Sequence, residues 1–375
     1  MFINSLGAGG AERSMVEFAK FLHLKNDVTL KIVCLKHKEI GLEKEVEEFG
    51  IRTIYYEGNG GLKAKTAFLT SIINDENPDI IHSVLAEANL ILRLSRLFTK
   101  KGKIIQSLVS TPYSLERKKD SELSWQKFKL AKQLDIWTAR LTPGIFYHAI
   151  TKEVYDHYSP LFKIKSNYKI IYRGRYENLN VETLYNETPG FLIINVGRQE
   201  FAKGQIDILK ALNYLREKYE ISDVNLQILG RPGQYSNKLI NLIKENKLKD
   251  QVQIHGFVDD VEKRLVNADA FVFPSYYEGL GGALLEAFAA KLPCICSDIP
   301  TLKEVVGKED GALFSPPGDH KALANNILKL YENENLRSKL GKYSYTRFQE
   351  AFKMETINQE MLTMYQELIK RNTRK

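Results

Sequence analysis

Short apolar runs alternate along this chain with longer segments in which apolar residues recur every three or four positions. The runs at 28–35 (VTLKIVCL), 78–84 (PDIIHSV), 102–109 (GKIIQSLV) and 146–151 (FYHAIT) read as strands in the first half. In the second half the strand runs are 190–197 (GFLIINVG), 224–230 (VNLQILG), 252–257 (VQIHGF), 270–275 (AFVFPS) and 293–298 (PCICSD). Segments such as 205–219 and 237–245 carry the helical period. Strands that are nearly continuously apolar have both faces covered, so the pattern predicts an α/β protein with parallel sheets between helices. Only Phe2 and Ile3 precede Asn4. A central parallel strand usually takes ~5 residues, so either the start is clipped or the first strand is stubby.

The pattern breaks at 174–189, where GRYENLNVETLYNETP is polar and rich in turn formers. That predicts a first domain at 1–173, a linker at 174–189 and a second domain at 190–345. Over 346–375, Phe348, Phe352, Ile357, Met361, Tyr365 and Leu368 fall at helical spacing before a basic tail. One or two amphipathic helices packed on a domain surface, the first domain's included, are expected there. A length of 375 residues suits two domains. Ligands of doubly wound sheets bind beyond the carboxyl ends of the strands, so a central cleft faced by both domains is the expected site.

Composition narrows the classes. Hydrophobic content of 43% and charged content of 27% describe a globular chain. Cys34, Cys294 and Cys296 form no disulfide framework, and Cys294-Ile295-Cys296 reads as buried strand, which fits a reducing cytoplasm. No segment reaches the ~18 consecutive apolar residues of a membrane span, and the first residues lack the features of a signal peptide. The net charge of +8 attracts phosphates of some kind. With no zinc-finger spacing and no RNA-binding aromatic pattern, nucleic acid is not the expected partner.

Three stretches carry candidate chemistry. Residues 5–22 (SLGAGGAERSMVEFAKFL) place Gly9 and Gly10 before an amphipathic helix, a turn whose free amides suit an anion. Glu12 stands where a dinucleotide fingerprint needs its third glycine, so a dinucleotide is not expected. Residues 195–212 set Gly197 and Arg198 at a strand end and Lys203-Gly204 before a helix. That is either a solvated loop or a pair of cations converging on a phosphate. Residues 273–298 place Gly279, Gly281 and Gly282 between Glu278 and Glu286, ahead of the apolar helix ALLEAFAA. A carboxylate among such buried surroundings needs a polar partner, and sugar hydroxyls qualify.

Those three stretches, with LQILGRPG, VQIHGFVDDV, IPTLKEVV and GALFSPPGD in the same order, resemble the retaining glycosyltransferases of family four. The likeness implies a GT-B fold of two Rossmann-like domains and a nucleotide-diphosphate sugar donor, with no cofactor. It implies that Arg198 and Lys203 hold the diphosphate, Glu278 contacts the donor sugar and Glu286 takes the ribose hydroxyls. It also implies that Gly197, Gly281, Gly282 and Ala283 approach phosphate, that the base lies near Arg231 and Phe257-Val258, and that Gly9 and Gly10 face the donor or acceptor across the cleft. Asp259-Asp260 reads as a turn, and no Asp-x-Asp stands in a strand-end loop, so fixed cations and helix dipoles are expected to do the work of a metal.

The chain departs from the family pattern in places. Val109 stands where family members often carry a histidine, and His82 is the nearest replacement, as an acceptor residue or a structural one. Arg173 replaces a common asparagine and Arg175 adds a second cation, either for a phosphorylated acceptor or as exposed linker arginines. Residues 91–103 and 114–137 mix apolar side chains, Trp125 and Trp137 with lysine and arginine. Such a segment is either a solvated helix face or a seat on an anionic membrane surface. The expected protein is a cytoplasmic transferase, peripheral on the inner face of the membrane if that seat is real. It would serve bacterial envelope polysaccharide or glycolipid synthesis with a saccharide or lipid-linked acceptor. A sugar-nucleotide epimerase and a silent nucleotide-sugar-binding subunit are the alternatives.

Overall fold

The computed structural model describes residues 1–7, 9–38, 41–119, 124–177 and 190–370. Most of the expected linker (178–189), Ala8 of the glycine turn, 120–123 and the basic tail at 371–375 lie outside them. The chain divides into two compact units. The first comprises Met1–Thr111, Glu122–Arg173 and Glu355–Lys375, and the second Pro112–Ser121 and Gly174–Met354.

Among the described residues the first unit holds seven parallel strands: β1 (Phe2–Ile3), β2 (Ile32–Cys34), β3 (Thr53–Tyr55), β4 (Ile80–Val84), β5 (Lys103–Leu108), β6 (Ile145–Ala149) and β7 (Tyr168–Ile170). They lie in the order β3-β2-β1-β4-β5-β6-β7. The first strand is stubby: it pairs with β2 and β4 at two positions each. Helix Met354–Lys370 completes the core under the sheet, where Ile357, Met361, Met364 and Leu368 pack on Phe18, Leu22, Ile105 and Phe146.

A buried polar chain crosses this core. His148 Nε2 faces the Ile171 carbonyl at 2.9 Å, and a carbonyl only accepts, so Nε2 carries the hydrogen. The Nδ1 of His148 then accepts from the Ser107 hydroxyl at 2.8 Å. Ser107 Oγ in turn accepts from His82 Nε2–H at 2.7 Å, and His82 Nδ1 accepts from the Tyr365 hydroxyl at 2.6 Å. One terminal carbonyl thus fixes the direction of four hydrogen bonds. Burial holds both imidazoles neutral: it pushes His148 down to about 4, assisted by the Arg173 charge. It pushes His82 well below the usual histidine range, with His148 adding to the shift. His82 is therefore corrected from acceptor candidate to core residue, since both ring nitrogens are spent inside the unit. Val109 lies partly buried against the apolar cluster around β1.

The second unit holds β8 (Phe191–Val196), β9 (Val224–Leu229), β10 (Val252–Gly256), β11 (Ala270–Phe273), β12 (Cys294–Ser297) and β13 (Leu313–Ser315), all parallel, in the order β10-β9-β8-β11-β12-β13. Both strand orders are those of Rossmann-like units, reversing direction between β1 and β4 and between β8 and β11. Helices Gln205–Tyr219 and Ser236–Glu245 match the periodic segments, and Cys294 and Cys296 are buried in β12 as free thiols. Helix Glu334–Ala351 runs across the expected domain end at 345. No helix among the described residues is long and apolar enough to cross a membrane.

Candidate active site

At the switch point of the second sheet the ladder stops early. β8 and β11 pair only at Ile193 and Ile194, opposite Ala270 and Phe271. Beyond that the strands part, and a side chain replaces the ladder: buried Asn195 donates from Nδ2 to the Val272 carbonyl at 2.8 Å. Gln205, at the start of the next helix, donates to Asn195 Oδ1 and to the Gly197 carbonyl, each at 3.0 Å. A polar residue inside the run FLIINVG was the one sequence signal for this junction. The loops after β8 and β11 leave from the gap it holds open.

The first loop turns through a short 3-10 helix, Phe201–Lys203, and ends at Gly204 with φ +62°. A Cβ there would lie 2.0 Å from the Pro274 carbonyl oxygen, so only glycine lets this loop close on the one after β11. Closure brings Lys203 Nζ to Glu278 Oε1 at 2.5 Å. The Ser275 hydroxyl donates to the same oxygen at 2.9 Å, and Thr301 donates to the Glu278 carbonyl at 3.2 Å. The lysine stem passes over Gly197, where a Cβ would stand 3.1 Å from Lys203 Cγ. Both partners are largely buried, with side-chain exposures of 21% and 10%. Arg198 keeps a different company: its side chain is exposed and pairs with Glu200 at 3.0 Å, so among the described residues the two cations have different ion-pair partners.

The second loop turns at Gly281, φ +88°, into helix Gly282–Ala289. Leu284, Leu285, Ala287 and Phe288 bury this helix, and its first amides have no carbonyl one turn earlier to bond. Glu286 sits on the open side and pairs with Arg175 Nε at 2.7 Å. Arg175 is therefore not an exposed linker cation: it is largely buried and ion-paired. Ala283 stands in the first turn of the helix, beside Gly282. At the neighbouring strand ends, Gly230 has φ +142° and leaves room for the Gly197 carbonyl, 2.2 Å from a would-be Cβ. This draws Arg231 beside the first loop, where its carbonyl accepts from the Gln199 amide at 3.1 Å. The Arg231 guanidinium lies 4.8 Å from the centre of the exposed Phe257 ring, and half-buried Val258 follows.

A cavity of about 190 Å³ opens beside the 3-10 turn, lined by Glu200, Phe201, Asp207, Lys210, Tyr235 and Tyr276 among others. Arg198, Lys203, Glu278 and Glu286 do not line it, although Gly204 and Tyr276 of the same two loops do. Asp260 bonds Arg264 one turn on, at the start of helix Val261–Val266.

The remaining candidates belong to the first unit. Gly9 caps helix Gly10–His23, and both glycines are exposed. A Cβ on Gly9 would stand 2.4 Å from Glu12 Oε2, so the anion nearest this turn is the chain's own carboxylate. Arg173 lies close enough to the two buried histidines for its charge to lower both their pKa values.

Residues 181–347 match the model of the family described as Glycosyl transferases group 1. Over 92% of its length the chain is 26% identical to 93% of a Campylobacter jejuni enzyme. That enzyme is named N-acetylgalactosamine-N,N'-diacetylbacillosaminyl-diphospho-undecaprenol 4-alpha-N-acetylgalactosaminyltransferase. The present chain is 24% identical over 87% of its length to 88% of the Staphylococcus aureus capsular polysaccharide biosynthesis glycosyltransferase CapH. Among solved structures, Anabaena HepE in complex with UDP superposes with a TM-score of 0.81 at 17% identity over 98% of each chain. A Rickettsia africae glycosyltransferase superposes with a TM-score of 0.78 at 20% identity, also over 98% of each. The two parallel sheets and these likenesses make the fold GT-B.

Proposed function

We propose that the chain is a group 1 glycosyltransferase, the family whose model matches residues 181–347, and that it moves a sugar from a nucleotide-diphosphate sugar to a saccharide or lipid-linked acceptor, with retention and without a metal ion. The observation that carries the reading is the cluster where β8 and β11 part. Lys203 is fixed on Glu278 beside the Gly281–Gly282 turn, with Glu286 one turn further along the helix. Breaking a sugar–phosphate bond builds negative charge on the departing diphosphate. Lys203 and the first amides of the helix are preorganised to receive it, and the exposed Arg198 would add a further positive charge. Glu278 would take donor-sugar hydroxyls, Glu286 the ribose, and Arg231 with Phe257 and Val258 the base. The diphospho-undecaprenol in the Campylobacter relative's name favours a lipid-linked acceptor in envelope glycan synthesis. The UDP and UDP-glucose in the HepE structures make UDP sugars the first donors to try.

A thermal-shift screen against UDP, GDP and ADP, followed by transfer assays with the matching sugars, tests the reading. Stabilisation by one diphosphate, and an acceptor-dependent product that forms in excess chelator with the donor's anomeric configuration, is the expected result. Donor consumption without acceptor would point to an epimerase, and binding without turnover to a silent subunit. An inverted product would end retention.

The partner surface is proposed on helix Trp125–Leu141. Leu130, Leu134, Trp137 and Leu141 are exposed, and spacings of four, three and four put them on one face, opposite buried Ile136 and Ala139. Lys127, Lys129 and Arg140 flank the stripe. An apolar stripe rimmed by cations fits the headgroup region of an anionic bilayer, on the cytoplasmic face of the membrane. Co-sedimentation with phosphatidylglycerol vesicles at low salt is expected, weakening at high salt and lost in Trp137→Glu. No pelleting at low salt would remove the membrane from the account.

A further inference from the structure

Arg175 has no part in the mechanism above, yet the structure anchors it at every level. Its amide donates to the Phe352 carbonyl at 2.9 Å and its carbonyl accepts from the Met354 amide at 3.0 Å, a parallel bridge to Lys353. Its guanidinium is equally fixed: Nε donates to Glu286 Oε1 at 2.7 Å and Nη1 to the Gly174 carbonyl at 2.9 Å. The third nitrogen, Nη2, has no hydrogen-bond partner among the described residues. It lies 2.2 Å from where a Cβ on Gly282 would be. The side chain absent from Gly282 therefore makes room for a guanidinium at the first turn of helix Gly282–Ala289. A cation against the positive end of a helix is unfavourable unless an anion joins them.

We propose that Arg175 is a donor-site residue whose Nη2 binds the α-phosphate of the nucleoside diphosphate. The inference rests on the reading in which Glu286 takes the ribose and the Gly281–Gly282 amides take phosphate. In a nucleotide the 5′ oxygen joins ribose to α-phosphate. A group touching both the ribose-binding carboxylate and the phosphate-binding turn sits at that junction. Glu286 and the Gly174 carbonyl pre-set the guanidinium, so little side-chain freedom remains to be lost when the anion arrives.

Calorimetry on wild type, Arg175→Gln and Arg175→Lys tests this. The probes are whichever of UDP, GDP and ADP the wild type binds best, and its parent nucleoside. A lost charge-assisted hydrogen bond predicts about 10- to 100-fold weaker diphosphate binding by Arg175→Gln. Nucleoside binding should stay within about twofold, and Arg175→Lys should recover part of the loss. Equal losses for diphosphate and nucleoside would mean that Arg175 acts only by holding Glu286, and would overturn the proposal. Unchanged diphosphate affinity would overturn it too. A wild type that binds none of the three diphosphates would instead bring down the functional reading itself. Gly282→Ala supplies a check independent of any folding loss. It should weaken diphosphate binding in the wild-type background, by displacing the guanidinium, and add little in Arg175→Gln. Additive losses would count against the shared site.

Discussion

Lys203→Ala is expected to lower the turnover of sugar transfer by about 10²–10³, the usual cost of removing one preorganised stabiliser of developing negative charge. The lysine is a specific choice for this test. Its Nζ is fixed on Glu278, its stem lies over Gly197 and its charge sits 5.5 Å from the Phe273 ring centre, so its position is set before any ligand arrives. The loss should fall mainly on kcat, because the charge it meets grows as the sugar–phosphate bond breaks. Arg198→Ala should cost less, since that side chain is exposed and paired with Glu200. Steady-state kinetics with saturating acceptor reads both variants. A Lys203→Ala enzyme within threefold of wild type would take the lysine out of the mechanism.

Mild acid is expected to destabilise the first unit through its buried histidines. His148 is neutral in the folded chain with its pKa pushed down to about 4, whereas in the unfolded chain it titrates near 6.5. Between those values the unfolded state binds more protons, so stability is complete above pH 6.5 and is lost as pH falls. At about 1.4 kcal/mol per pH unit, His148 alone gives up about 2 kcal/mol by pH 5. His82 shifts the same way, on the same buried chain, and adds to the loss. His37 works in the opposite sense, held up by Glu43 and Glu57, but it is exposed and its effect is screened. Trp125 and Trp137 are the only tryptophans and both belong to this unit, so their fluorescence reports it selectively. Urea midpoints should drop between pH 7.5 and pH 5, and drop less in His148→Gln. Equal midpoints at the two pH values would contradict the buried neutral pair.

The strands legible in the sequence were those whose neighbours bury both faces, such as Phe191–Val196 and Val224–Leu229. Three short strands escaped. Thr53–Tyr55, Tyr168–Ile170 and Leu313–Ser315 are three residues each, mostly half-buried and at or near sheet edges, too brief to set up a period. In the candidate site, Lys203, Glu278 and Glu286 stood out because glycines flank them at strand ends. Their partners did not. Arg175 and Glu286 are 111 residues apart, and nothing local to either announces the other. The two roles open to His82 could not be separated for the same reason: its three companions come from two further strands and the last helix.

The bridge between Arg175 and Lys353 has a topological consequence. Gly174 and Met354, where the chain enters and leaves the second unit, touch: a Cβ on Gly174 would lie 2.6 Å from Met354 Cα. Apart from 112–121, that unit is a guest inserted into a discontinuous host, with its ends already adjacent. A fragment cut at 173 would lose Tyr365 and one wall of the host's core, whereas the guest could be joined end to end and reopened elsewhere as a circular permutant.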